Sequence, residues 1–258
     1  MSQNPSQAHP LIRKLESVLE LSADEREAIE ALPLTPRTLK ADQDIVRAYD
    51  QPTQCCVILE GFALRYKLMN GGKRQIFSFH IAGDIPDLHS LYLEVMDHNI
   101  GTLVGSRVAF IPHDAMRSLM AGHPRIGDAL WRNALVDAAL SREWMASIGR
   151  REAYGRIAHL MCELFLRLQT IGLTDGSSFE MPITQEELGD ALGLSSVHVN
   201  RTLQELRGNG LISWTRGYWT VVDWEALKKA AEFDATYLHL HDAARQAAIK
   251  ALSPAATI

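Results

Sequence analysis

The 258-residue chain is poor in cysteine, with only Cys55, Cys56 and Cys162. An odd count that includes an adjacent pair excludes a disulfide framework and points to reduced, structural thiols. No apolar run is long enough to span a bilayer, and the first ten residues are polar and lack the apolar core of an export signal, so the expected location is the cytoplasm, without a membrane partner. Positive charge is not in excess: 26 Lys and Arg against 31 Asp and Glu leave a formal charge of -5, which excludes a protein that coats nucleic acid indiscriminately through many phosphate contacts. A glycine-rich phosphate cradle, a nucleophile elbow and a metal-spaced ligand set are all missing, so no enzyme is read from the chain. Hydrophobic residues at 47% and charged residues at 22% describe an ordinary globular chain, long enough for two domains and a connector.

The segment from Thr184 to Gly210 holds the densest local information. Thr184 and Glu187 stand at capping-box spacing, and Leu188, Ala191 and Leu192 supply an apolar stripe behind them. Gly193 can adopt the left-handed conformation that ends a helix, Leu194 can plug the gap, and Ser195 can cap a second helix. Val199, Leu203 and Leu206 recur at i, i+4 and i+7, so one face of that second helix is core. The other face carries Ser196, Val197, His198, Asn200, Arg201 and Gln204, groups able to meet base edges in a major groove. A tight helical hairpin inside an all-α domain would share this pattern. The β-rich runs Leu211–Trp214 and Tyr218–Val222 across Thr215-Arg216-Gly217 favour a winged helix-turn-helix instead, with Arg216 at the wing tip placed to meet a phosphate.

Upstream, 1–36 is read as a leader and a helical segment from Leu11 to Leu32, closed by Pro33 and Pro36. Over 37–122 short β-type runs recur with glycine between them: Cys55–Leu59, Phe62–Leu68, Gln75–Phe79 and Gly101–Ile111, with a short helix expected in 86–99. No proline occurs between Pro124 and Pro182. A long helix is expected over 123–148, with apolar residues on more than one face (Ile126, Leu130, Trp131, Leu135, Ala138, Leu140, Trp144, Met145, Ile148), one for the β domain and one for a second copy of the chain. A second helix over 151–169 opens the DNA-binding domain, 149–223, and leads into its helix-turn-helix, and an alanine-rich helical tail fills 224–258. The expected class is therefore α+β: an N-terminal antiparallel β-roll (a jelly-roll-like double-stranded β-helix), a long dimerisation helix and a C-terminal winged helix-turn-helix.

That order resembles the Crp/Fnr superfamily of bacterial transcription regulators over roughly 38–222, most specifically at Gly155-Arg156-Ile157-Ala158, at 184–212, at Gly61 and at Gly83-Asp84. The resemblance implies a homodimer that places two recognition helices on a pseudo-palindromic duplex site, and RNA polymerase as a further partner. It also implies that Arg201 reads guanine and that Thr184, Gln185 and Ser195 hold phosphates. Well-known members carry an arginine-glutamate pair where this chain has Ser196 and Val197, so the half-site differs, with His198, Asn200 and a Val197 contact to a thymine methyl contributing. An alternative is a cyclic-nucleotide-type ligand module whose winged helix touches only protein.

The β-roll departs from the two best-known sensor patterns. The place that holds a cyclic phosphate in relatives aligns with Met96 and Asp97, so cyclic AMP is not expected. No cysteine precedes Cys55, so an iron-sulfur cluster is not expected either. By the resemblance, Asp84, Ser141 and Arg142 are the candidate contacts for a small-molecule effector. His80, His89 and His98 show no ligand spacing, and no metal is expected.

Overall fold

The computed structural model of the chain describes residues 9–215 and 217–240. By its contacts the chain divides into two compact units at Ala138/Ala139. The division falls inside the long helix, so that helix is not a unit of its own.

In the first unit, the single helical segment expected over 11–32 is two helices, α1 (Pro10–Glu16) and α2 (Ala23–Glu30). The break is local chemistry: the Ser17 hydroxyl bonds back to Lys14 O, and Ser22 caps α2 in a reciprocal capping box with Glu25. Leu11, Ile12, Leu15 and Ile29 face inward and are fully buried.

The strands are β1 (Thr35–Leu39), β2 (Asp44–Val46), β3 (Gln54–Glu60), β4 (Ala63–Leu68), β5 (Arg74–His80), β6 (Asn99–Thr102) and β7 (Ser106–Pro112). They form two antiparallel sheets, ordered β1-β7-β3 and β2-β6-β4-β5. The run expected as one strand over 101–111 is therefore two strands, β6 and β7, in different sheets. The expected short helix is a single 3-10 turn, Leu88–Leu91. Cys55 to Leu59 are all buried, which is why β3 reads as a continuous apolar run. Burial pushes the Cys55 and Cys56 thiols well up, so they stay protonated and inert.

Gly83 has φ +91°, and a Cβ there would run into the carbonyl of Pro10, so α1 lies directly on this turn. The helix α3 (His113–Gly122) leads into α4 (Pro124–Arg150), whose Ile126, Ala129 and Leu130 join one core with Leu11, Leu15, Ile29, Cys55 and Ile111.

In the second unit, α5 (Ala153–Thr170) is buried along its whole middle, Ile157 to Leu168. A hairpin of β8 (Thr174–Asp175) and β9 (Ser178–Glu180) follows, where only connecting chain is expected. Then come α6 (Gln185–Leu192), α7 (Ser196–Gly208), β10 (Ile212–Thr215), β11 (Tyr218–Val221) and α8 (Trp224–Ala230). The four strands form one antiparallel sheet, β10-β11-β9-β8. The helix expected from Trp224 onward ends at Ala230, and Ala235–Leu238 is a 3-10 turn; residues 241–258 lie outside the described residues. No described helix is long and apolar enough to cross a membrane.

His80 gives the first unit a testable pH response. Its ring is 2% exposed, with Nε2 2.8 Å from Ser78 Oγ and Nδ1 3.6 Å from Asp84. Burial first, and the nearby Arg65 charge second, push its pKa down to about 4 from 6.5. Between those values the unfolded chain takes up a proton that the folded chain refuses, so this contribution is complete above pH 6.5 and is lost as pH falls toward 4. His80→Gln should flatten this part of the pH dependence, by up to about 3 kcal/mol, in urea unfolding of wild type and variant compared from pH 7 to 4. Parallel curves would refute the assignment.

Candidate nucleic-acid interface

The α6–turn–α7 segment folds as its caps dictate. Thr184 Oγ1 accepts from Glu187 N, and Glu187 Oε2 accepts from Thr184 N at 2.7 Å. Leu188, Ala191 and Leu192 are buried. Gly193 takes φ +67° in the left-handed region and ends α6, and Ser195 caps α7 by accepting from His198 N. Val199, Leu203 and Leu206 are buried to 1% or less, and α7 packs against α5 and α6.

Two residues whose structural role is hidden in the sequence hold this geometry. Gly189 lies where a Cβ would stand 2.5 Å from the backbone oxygen of Leu194, so the turn can come this close to α6 only over a glycine. Arg156 donates from Nη1 to Leu192 O at 2.9 Å and from Nε to Arg151 O at 2.8 Å. A guanidinium at the last carbonyls of α6 satisfies groups the helix cannot, and it favours the negative end of the helix dipole.

With the apolar face of α7 buried, its other face is open. Ser196, Val197, Asn200, Arg201 and Gln204 are exposed and His198 is half-exposed. Asn200 Nδ2 donates to Gln185 Oε1 at 3.1 Å, which ties α7 to the first residue of α6. Arg201 lines an open groove of about 390 Å³ with Glu152, Tyr154, His198 and Glu205, and it has no hydrogen bond or ion pair among the described residues. Thr184 and Ser195, both exposed, lie at the N-termini of the two helices, where backbone donors favour anions.

The wing is the β10–β11 hairpin, with Trp214 stacked on Trp219 at 5.0 Å between ring centroids. Arg207 lies 5.1 Å over the Trp214 ring, so this arginine braces the wing. Arg216, expected at the tip, lies outside the described residues.

Of the candidate effector residues, Asp84 belongs to the first unit and Ser141 and Arg142 to the second. Asp84 is 6% exposed, accepts from Ile81 N at 3.0 Å and pairs with Lys14 Nζ at 2.7 Å. Its carboxylate thus closes a turn and holds α1. Ser141 and Arg142 are exposed on the part of α4 that belongs to the second unit. Met96 is fully buried with Val46 and Ile100, and the Asp97 carboxylate binds His98.

Comparison with known proteins agrees with the topology. The model of the cyclic nucleotide-binding domain matches residues 36–123, and that of the Crp-like helix-turn-helix domain matches 155–230. The chain is 23% identical over 194 residues to the transcriptional activator protein FnrA of Stutzerimonas stutzeri, covering 75% of this chain and 79% of that one. It is 25% identical over 186 residues to the nitrogen fixation regulation protein FixK of Rhizobium meliloti, covering 70% and 79%. The solved structure of FixK2 from Bradyrhizobium japonicum superposes with a TM-score of 0.71 at 20% identity, covering 79% of this chain and all of that one.

Gly189→Val should cost the second unit about 1–3 kcal/mol, because backbone must move to admit the side chain. Gly208, where an added Cβ would meet nothing within 4 Å, is the matched control. Thermal unfolding should show loss of stability in Gly189→Val and none in Gly208→Ala; equal behaviour would remove Gly189 from the account.

Proposed function

We propose that this chain, which belongs to the Crp/Fnr family of transcription regulators and is a DNA-binding regulator, reads a pseudo-palindromic operator as a homodimer through the open face of α7. The observation that carries this reading is the split of α7: Val199, Leu203 and Leu206 are buried, and Arg201 stands exposed without a partner among the described residues. A guanidinium free of internal bonds can donate to O6 and N7 of one guanine together. Asn200 and His198 add polar contacts, Val197 offers a methyl surface, and Thr184, Gln185 and Ser195 hold phosphate oxygens. A wing and recognition helix that touch only protein are not favoured.

Pairing of two chains is supported by α4. Trp131 is 60% and Leu135 52% exposed; with exposed Ala138 they follow a 4-3 spacing that passes through Arg142 to Met145, 73% exposed. An apolar seam at that spacing is what two helices bury against each other. The pair then presents two copies of α7 to successive major grooves. RNA polymerase is the further partner through which such a regulator acts. The effector, in this reading, is neither cyclic AMP nor an iron-sulfur cluster: Met96 and Asp97 do not fit a phosphate, and three buried cysteines cannot supply four thiolates. A molecule that used Asp84 would have to displace Lys14.

Selection of bound sequences from a random DNA pool should return an inverted repeat. Arg201→Ala should then cost about 1–3 kcal/mol on that site and relax the preference at one base pair of each half. Equal losses on selected and random DNA would contradict base reading. Leu135→Glu should shift the protein from dimer to monomer in sedimentation and weaken operator binding; a wild-type monomer at micromolar concentration with full operator affinity would refute the dimer.

A further inference from the structure

The β-roll brings together three side chains that no spacing in the sequence connects. His89 lies on the 3-10 turn Leu88–Leu91, whose Ser90 and Leu91 are buried. His98 immediately precedes β6. Their rings are 5.1 Å apart between centroids, tilted by 36°. Asp97 Oδ1 stands 2.6 Å from His98 Nδ1, and ligand-capable atoms of His89, Asp97 and His98 all lie within 4.8 Å of one another.

The Asp97 carboxylate accepts, so His98 Nδ1 carries the proton and Nε2 keeps its lone pair. Nε2 of His98 and Nε2 of His89 are both shielded from water and have no hydrogen-bond partner. Two shielded imidazole nitrogens left without a partner are a cost to the fold. Of the cations whose charge bears on the cluster, Arg65 and Lys67, Arg65 is bound to Asp137 at 2.8 Å and to the Pro86 carbonyl. Asp97, with a side chain 82% exposed, adds negative charge and an opening to solvent.

We propose that His89, Asp97 and His98 form a binding site for a nitrogen-preferring divalent transition-metal ion of the zinc, nickel or copper class. The two imidazoles are ligands, and Asp97 orients His98 as carboxylates do for metal-bound histidines. Tetrahedral bonds of about 2.0–2.1 Å place ligands about 3.3 Å apart, so the cluster closes slightly on the ion. The exposed chain between the two histidines, Tyr92–Val95, leaves room for that movement. Loading would fasten the 3-10 turn to the start of β6 within the sensor unit. The inference concerns the β-roll alone and stands or falls independently of DNA reading.

Chelator-stripped full-length protein should bind one Zn²⁺ per chain in calorimetry and no Mg²⁺. His89→Gln and His98→Gln should each weaken zinc binding by at least about tenfold, and Asp97→Asn by about 10–100-fold, with His123→Gln unchanged. Copper-loaded wild type should show coupling to two imidazole nitrogens in its electron paramagnetic resonance spectrum, a readout that needs no variant to fold. Zinc binding retained in the double His89→Gln/His98→Gln variant, no zinc uptake by wild type, or a copper spectrum without nitrogen coupling would each overturn the site.

Discussion

Glu163 is a carboxylate with no exposed surface in the middle of the buried stretch of α5, and the DNA-binding unit is organised by its need for partners. Trp144 Nε1 donates to it at 3.0 Å from α4, Tyr237 OH at 3.1 Å from the last 3-10 turn, and Arg167 Nη1 at 3.3 Å from one turn further along α5. Burial pushes its pKa up, and those donors pull it back. Loss of the Arg167 guanidinium from such a group costs about 3–5 kcal/mol, because the buried carboxylate then lacks its counter-charge. The network therefore fixes the orientation of α5 more firmly than apolar packing alone, which tolerates sliding. His159 extends it, stacked on Tyr237 and 3.2 Å from Glu143, which also holds Arg151. α5 is the platform for α6 and α7, so the aim of the recognition helix descends from a buried carboxylate that touches no DNA.

The first unit is closed by a different device. Asp84 and Lys14 form a nearly buried ion pair at the one turn where α1 touches the backbone at Gly83. The pair occupies the carboxylate that the family resemblance sets aside for an effector, so the chain's own lysine takes the part of a ligand. A small molecule at that place must supply a cation or donors of its own, or leave Asp84 uncompensated. This narrows the chemistry of an Asp84 ligand more than the shape of the roll does.

What is legible in the sequence is what short-range chemistry decides. The capping box of Thr184 and Glu187, the left-handed Gly193 and the apolar triplet of α7 each act within one or two turns, and each folds as its spacing indicates. The same chemistry, less conspicuous because longer apolar patterns run across it, acts at Ser22 and Glu25, which split the first helical segment, and at Asp175-Gly176, a hairpin signal that turns β8 into β9. The rest depends on partners distant in sequence. Nothing near Asp84 announces Lys14, nothing near Gly189 announces the Leu194 carbonyl, and Arg207 counts as surface charge until Trp214 is found beneath it. His89 and His98 meet because a 3-10 turn and a strand start adjoin, a relation that no periodicity encodes.

Val197 makes the functional argument from the opposite direction. It is an aliphatic side chain, 81% exposed, at the second position of the helix whose buried side is complete without it. An apolar group there gives the fold no burial, and a β-branched residue is a poor choice for helix propensity. The local rules for stability would place a charged or small residue at this site, as they do at neighbouring exposed positions. In the proposed reading, a side chain that adds no burial to the monomer, on the same face as an arginine with no partner among the described residues, meets a surface that arrives from outside. A thymine methyl in the major groove is apolar, lies beside the polar edges that Arg201 and Asn200 can meet, and is of the size that a valine covers. In that reading the exposed Val197 and the base contacts of Arg201 belong to one face, and substitution of Val197 would change DNA preference without changing stability.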